Sequence, residues 1–226
     1  PPTSAATQPI AAKAAVPFIA PYTGAEFLRA PAMTNVVNLR ASYFQETEQM
    51  VERLTKDLGL SRIAILYQDD AYGRAGLEGA QAALARRNMA LVSEGTYERN
   101  TTAVKGAILS IRKGNPDAVI MIGAYKPCAE FIRQARRVRF DVPFVNISFV
   151  GSEALAKELG PDGAGVIVTQ VVPFPFDASN PAVARYQAAL KALDPAAGPG
   201  FVSLEGYLAG RLVTEAQSGK APVQRL

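Results

Sequence analysis

The stretch that decides the fold is "RIAILYQDDAYGRAGLEGAQAAL", residues 62–84. Its apolar residues run consecutively over "RIAILY" rather than alternating, which predicts a strand buried on both faces, as in a parallel sheet. A pair of acids and a glycine then lead straight into a helical pattern predicted over 72–88. Glycines at 73, 76 and 79 raise the question of a phosphate cradle. The dinucleotide fingerprint keeps its glycines in the turn, where backbone amides meet the pyrophosphate. Here the spacing is GxxGxxG, and the helical period carries Gly76 and Gly79 into the helix. Asp69 and Asp70 would repel a phosphate at the turn, and no GxxxxGK[ST] occurs in the chain. Close helix packing accounts for the later glycines better than a nucleotide does.

The strand–helix alternation extends outward from this stretch. Upstream, an amphipathic helix is predicted over 44–58, with Phe44, Val51, Leu54 and Leu58 on one face. Downstream, strands are predicted at 90–97, 118–122, 142–147 and 165–172. Between them lie a helix marked by Val104, Ala107, Ile108 and Ile111, a basic helix opened by Pro127, and a short helix at 152–159. Strands separated by helices of this length call for parallel βαβ units with right-handed crossovers, an α/β fold. The flanks are less complete. Residues 1–40 supply a helix (3–14) and strands at 16–21 and 35–40, and 177–217 supply two helices. Neither flank has the strands for a sheet of its own, so both read as pieces of a second domain.

Composition narrows the chemistry. The 226 residues are 49% apolar, with a net charge of +4, no histidine, and one cysteine, Cys128. A zinc site of His and Cys ligands, a His-based triad and an internal disulfide are excluded within the chain. No apolar stretch reaches the roughly 18 residues that a membrane-crossing helix needs. The chain opens without Met and without a leader-like segment, and is expected to be the middle of a longer protein. The basic run "RQARRVR" (133–139) is predicted to be a solvated helix face opposite Cys128, Phe131, Ile132, Ala135 and Val138. It has no aromatic platform for a single strand, so nucleic acid is not an expected partner.

Open α/β sheets present ligand contacts beyond the carboxyl ends of their strands. Tyr72 follows the strand at 62–67 and Tyr125 follows that at 118–122. Ser148 and Phe149 follow "VPFVNI", and Tyr22, Thr23 and Gly24 follow "VPFIAP". These are rings and hydroxyls with no catalytic base among them, which suits a pocket with apolar walls and a few polar anchors. Tyr72 and Tyr125 are expected to face a shared cleft. The adjacent Asp69 and Asp70 are better placed to cap the next helix than to do acid–base chemistry, so no enzyme is expected.

"TSAATQPIAAKAAVPFIAPYTGAEFLR" (3–29), "VVNLRASYFQETEQMVERL" (36–54), residues 62–84 and "AVIMIGAYKPCAEFIRQAR" (118–136) together resemble the periplasmic solute-binding receptors of branched-chain amino-acid ABC transporters. The best-known member of that family is the leucine/isoleucine/valine-binding protein. The resemblance implies the periplasmic-binding-protein-like α/β fold: two doubly wound lobes joined by a hinge, with ligand trapped between them. It implies that 1–40 belongs to a first lobe, 41–172 forms a second with a five-stranded, mostly parallel sheet, and 173–226 returns, mainly helical, to the first. "NLRAS" would cross between lobes and "TQVVPFP" would cross back, with most of the first lobe lying outside this chain.

In functional terms the resemblance implies a non-enzymatic periplasmic receptor without cofactor or metal. It would deliver a small carboxylate or amino acid to the permease and ATPase subunits of an ABC importer. A ligand sensor of the same fold coupled to a regulator is the alternative, and the genes beside its own would separate the two. Thr3 and Ser4 fall near the family's hydroxyl contact to the ligand carboxylate, and Tyr22, Thr23 and Gly24 at the second first-lobe contact. Tyr72 and Tyr125 match the aromatic residues that the second lobe closes over the ligand. Where amino-acid receptors of the family carry an acid to hold the α-ammonium, this chain has Ser148, a departure that predicts tolerance of carboxylates lacking the ammonium.

Overall fold

The computed structural model describes residues 1–218, so the last eight residues of the expected helical return (219–226) lie outside it. Five strands make the main sheet: β3 (Ile63–Gln68), β4 (Ser93–Tyr97), β5 (Ala118–Ile122), β6 (Phe144–Asn146) and β7 (Ile167–Val168). The order is β4-β3-β5-β6-β7 and every pairing is parallel. Ahead of it, β1 (Phe18–Ile19) and β2 (Val36–Val37) form a separate two-stranded parallel sheet. The α/β class expected from the consecutive apolar runs is therefore the observed one. Ile63 to Leu66 and all of β5 are fully buried.

The helices are α1 (Pro2–Lys13), α2 (Tyr43–Glu52), α3 (Ala71–Ala85), α4 (Lys105–Lys113), α5 (Tyr125–Arg137), α6 (Ser152–Leu159), α7 (Pro181–Leu193) and α8 (Phe201–Gln217). From β3 the chain steps outward to β4, then back across β3 to β5, β6 and β7. Right-handed crossovers put α3 on one face for the outward step and α4, α5 and α6 on the other for the return. The core divides accordingly. Ile63, Ile65, Ile120 and Ile122 pack with Met50, Val51, Leu54, Ala80 and Leu84 of α2 and α3. Ala64, Leu66, Val119 and Met121 pack with Ile108, Ile111, Phe131, Ile132 and Leu155 of α4, α5 and α6. The switch in direction falls between β3 and β5, where parallel sheets open a crevice at their carboxyl ends.

Local chemistry sets the boundaries. Ser42 and Gln45 form a reciprocal capping box that starts α2. The helix then loosens into a π-type turn at Arg53–Asp57, close to the predicted end at 58. Asp70 caps α3, accepting from the backbone N–H of Tyr72 at 2.8 Å and of Gly73 at 3.2 Å. The glycines that follow are packing residues. A Cβ at Gly73 would lie 1.8 Å from the Gln68 carbonyl oxygen, one at Gly76 within 2.6 Å of the Ile122 side chain, and one at Gly79 within 2.5 Å of Thr47 Oγ1. β6 and β7 are shorter than expected. Pro143 cannot donate to a ladder, and Gly165, at φ +77°, turns the chain just before β7.

The basic helix departs from the expected solvated face. Arg133 donates to the carbonyl and carboxylate of Glu158, and Arg136 to the carbonyls of Asp162 and Ala164 and to Asp141. Arginines of α5 thus satisfy carbonyl groups at and beyond the C-terminal end of α6, where helices leave them unpaired.

Candidate ligand-binding site

The segments flanking the main sheet converge on the carboxyl end of β6. Tyr22, in the turn after β1, packs tilted against Phe149 with ring centroids 5.5 Å apart; Phe149 packs in the same way at 4.5 Å on Tyr72, and Tyr72 at 5.5 Å on Tyr43. This row of four rings runs from the first flank into the main α/β unit. Arg40, just past β2, lies 4.2 Å from the centroid of the Tyr22 ring, a cation–π contact. The same guanidinium makes a bidentate pair with Glu205 of α8, Nε to Oε1 at 2.9 Å and Nη2 to Oε2 at 3.0 Å. Both partners are almost wholly buried. Burial by itself would lower the Arg40 pKa, but the hydrogen bond and charge of Glu205 outweigh it and the value is raised.

Ser148 opens the short 3-10 turn after β6 and is 5% exposed. Its backbone N–H donates to Glu46 Oε2 at 3.0 Å and to Thr169 Oγ1 at 3.0 Å, and Thr169 donates its hydroxyl to Glu46 Oε2 at 2.7 Å. The Ser148 hydroxyl, Arg40 Nη1 and Glu46 Oε1 are buried with no hydrogen-bond partner among the described residues. Ser148 and Arg40 line a cavity of about 10 Å³ together with Tyr22, Gln170, Phe201 and Glu205. That is room for about one water-sized group. Nearby, Glu153 of α6 accepts from the first backbone N–H of α8 at 2.9 Å.

Of the residues expected from sequence, Tyr22, Tyr72, Ser148 and Phe149 come together here. Tyr72 does not face a cleft. It is 2% exposed, its hydroxyl donates to the Gly123 carbonyl at 3.4 Å, and Phe149 and Tyr43 flank its ring. Burial drives its pKa well above the usual tyrosine value and that of Tyr43 up to about 12. Thr23 and Gly24 support the site from below: Thr23 donates to Tyr43 Oη at 3.2 Å, and the Gly24 carbonyl accepts from Tyr43 N at 2.7 Å. A side chain at 24 would collide with the Tyr43 ring at 2.6 Å. In the first turn of α1, Thr3 is exposed and Ser4 is buried.

Tyr125 is not part of the group. It packs on the opposite face of the sheet and lines, with Ala154, Lys157 and Glu158, an open depression of about 440 Å³. A position just after a strand fixes which end of the sheet a residue occupies; the phase of the following helix decides its face, and here it separates Tyr72 from Tyr125. Arg40, Glu46, Thr169 and Glu205 were missed. One signal was available: Glu46 shares the buried stripe of Tyr43, Thr47, Met50 and Val51 on α2, and an acid on such a stripe is out of place unless it serves a purpose.

Comparison with known proteins gives the family of this fold. A family model described as periplasmic binding protein matches residues 1–219. A possible leucine/isoleucine/valine-binding protein from Rhodopirellula baltica is 37% identical, with a TM-score of 0.92 over 98% of this chain and 61% of its own. A substrate-binding periplasmic protein from Ralstonia solanacearum is 28% identical (TM-score 0.84, 95% of this chain, 60% of its own). An extracellular ligand-binding receptor from Verminephrobacter eiseniae is 29% identical (TM-score 0.81, 93% and 60%). The chain thus spans about three fifths of the length of these proteins, and on the family match and the shared fold it belongs to the periplasmic binding protein family.

Proposed function

We propose that this chain is the larger part of a periplasmic receptor that captures a small carboxylate, an amino acid or a related organic acid, and hands it to the permease and ATPase subunits of an ABC importer. In this reading residues 1–40 and the segment from 173 onward belong to one lobe and 41–172 to the other. "NLRAS" and "TQVVPFP" are the hinge crossings. The observation that carries it is the convergence of both flanks and the main unit on the buried polar and aromatic group around Tyr22, Arg40, Ser148 and Phe149. That group stands beyond the carboxyl ends of parallel strands, the usual ligand position in such sheets. The similarity to a possible leucine/isoleucine/valine-binding protein supports a carboxylate-bearing ligand.

The test is a thermal-shift series on the complete receptor carrying this segment, with leucine, valine, phenylalanine, glutamate, benzoate and the deaminated forms of the first three. A ligand at 100 times its dissociation constant stabilises the folded state by about 2.7 kcal/mol, well within the assay's range. A receptor that no carboxylate stabilises refutes the reading.

A further inference from the structure

Two of the buried polar atoms left without a partner among the described residues, Arg40 Nη1 and the Ser148 hydroxyl, line the same cavity. Arg40 gives its Nε and Nη2 to Glu205, at 2.9 and 3.0 Å, which leaves the N–H donors of Nη1 unspent. Ser148 uses its backbone N–H on Glu46 and Thr169, while its hydroxyl, a donor and an acceptor at once, bonds nothing. A further polar group on the wall is Ser152, whose Oγ accepts from Gln170 and so keeps its own proton to give. Val171, Val172 and Phe201 close the rest of the wall. A buried donor with no acceptor costs its full desolvation, more for a charged guanidinium than for a neutral group. Native proteins meet such leftovers with an ordered water where there is room for one and about two to four groups can bond it.

We infer that this cavity is a binding site for one internal water molecule, which accepts from Arg40 Nη1 and bonds the Ser148 hydroxyl. Its volume of about 10 Å³ admits a water and no larger solute, so the water is part of the wall of the site and not its ligand. A halide ion is the rival of comparable size. Glu205 stands against it: its carboxylate lines the same cavity, already neutralises Arg40 and would repel an anion. Water suits the wall better because it can accept from the guanidinium and still donate to a hydroxyl oxygen. The water ties the stretch after β2, which carries Arg40, to the turn after β6, which carries Ser148, beside α8 and the stretch after β7. The Arg40–Glu205 pair joins one flank to the other; the water carries that junction on to the main sheet through a mediated bond, which holds nearly as well as a direct one.

The test is a crystal structure of the complete protein carrying this segment, at a resolution that shows ordered water, from crystals grown in a bromide salt. The expected result is a single peak about 2.7–3.2 Å from both Arg40 Nη1 and Ser148 Oγ, with no anomalous signal from bromine. A peak that carries the bromine signal makes the cavity an anion site and overturns the inference. An empty cavity overturns it too, as does a direct bond from Arg40 Nη1 to a protein acceptor. Ser148→Ala asks the same question in solution, because it keeps the room and removes one of the water's partners. With the water in place, the variant should melt about 2 °C lower, the scale of one net hydrogen bond. A dry cavity predicts the opposite sign, since alanine would then relieve an unsatisfied hydroxyl; an unchanged or raised Tm overturns the inference.

Discussion

Replacing Glu205 with glutamine strips the countercharge from Arg40 and leaves it buried. In the native structure Arg40 Nε and Nη2 each donate to a Glu205 oxygen, at 2.9 and 3.0 Å, with side-chain exposures of 1% and 9%. Breaking a buried pair by removing one partner costs about 3–5 kcal/mol, because the surviving charge stays desolvated. The Tyr22 ring at 4.2 Å remains and is worth about 0.5–2 kcal/mol, so the low end applies. A loss of about 3 kcal/mol corresponds to a fall in Tm of about 6–12 °C for a domain of this size. Urea unfolding of the complete receptor, followed by circular dichroism, measures it. The companion variant Arg40→Met with Glu205→Leu removes both charges and should come within about 1 kcal/mol of wild type, since apolar replacements of buried pairs are often neutral. A Glu205→Gln loss below about 0.5 kcal/mol would show a screened surface pair, and a double variant as unstable as the single one would show that charge is not the cause.

Gly73→Ala should cost about 3 kcal/mol or more, because the new methyl meets a backbone carbonyl that cannot retreat; Gly76→Ala should cost less, since it meets the Ile122 side chain. Adding Ile122→Ala to each should give a sub-additive loss with Gly76→Ala only, measurable as a double-mutant cycle. Tyr72→Ala should cost about 3–5 kcal/mol and Tyr72→Phe less than about 1 kcal/mol, in keeping with a packed ring and a long hydroxyl contact. Tyr43 titrates near 12 when folded against 10 as its ordinary value, so its neutral form is favoured by the fold. The stability it contributes is full below pH 10 and is lost as pH rises toward 12, on the order of 3 kcal/mol in all. Tyr43→Phe should remove that part of the alkaline loss in pH-dependent unfolding, and an unchanged alkaline limb would refute the assignment.

How much of this was readable in the chain varies with the range of the interaction. β3 and β5 are buried on both faces, so their apolar runs marked them to within a residue. β7 sits at the edge of the sheet and pairs over two residues, which leaves little pattern to read. In α3, spacing identified the glycines as packing positions because helical period is a local property. The Arg40–Glu205 pair spans 165 residues and leaves no local trace. Arg133 and Arg136 read as a solvated charge run because their carbonyl partners belong to another segment. Tyr72 and Tyr125 looked equivalent because strand-end position is legible and sheet face, set one helix phase later, is not.

The hydrogen bond between Thr169 and Glu46 has a bearing on the order in which the chain assembles. It places the exit of the main α/β unit one bond length from its entrance, 2.7 Å across 123 residues. Were that unit disordered, bringing Arg40 to Glu205 would mean closing a loop of 165 residues, an entropy cost of about 4.5 kcal/mol on the (3/2)RT ln n scale. Once the unit is formed, the two flanks leave it side by side and nearly all of that cost has already been met. On this argument the inner unit is expected to act as a template and the ion pair to form late, after the sheet. Perturbing late contacts speeds unfolding while hardly slowing folding. Substitutions at Glu205 should thus leave the refolding rate almost unchanged and shorten the lifetime of the native state, which a chevron plot of the variant reads as a shift of the unfolding limb alone.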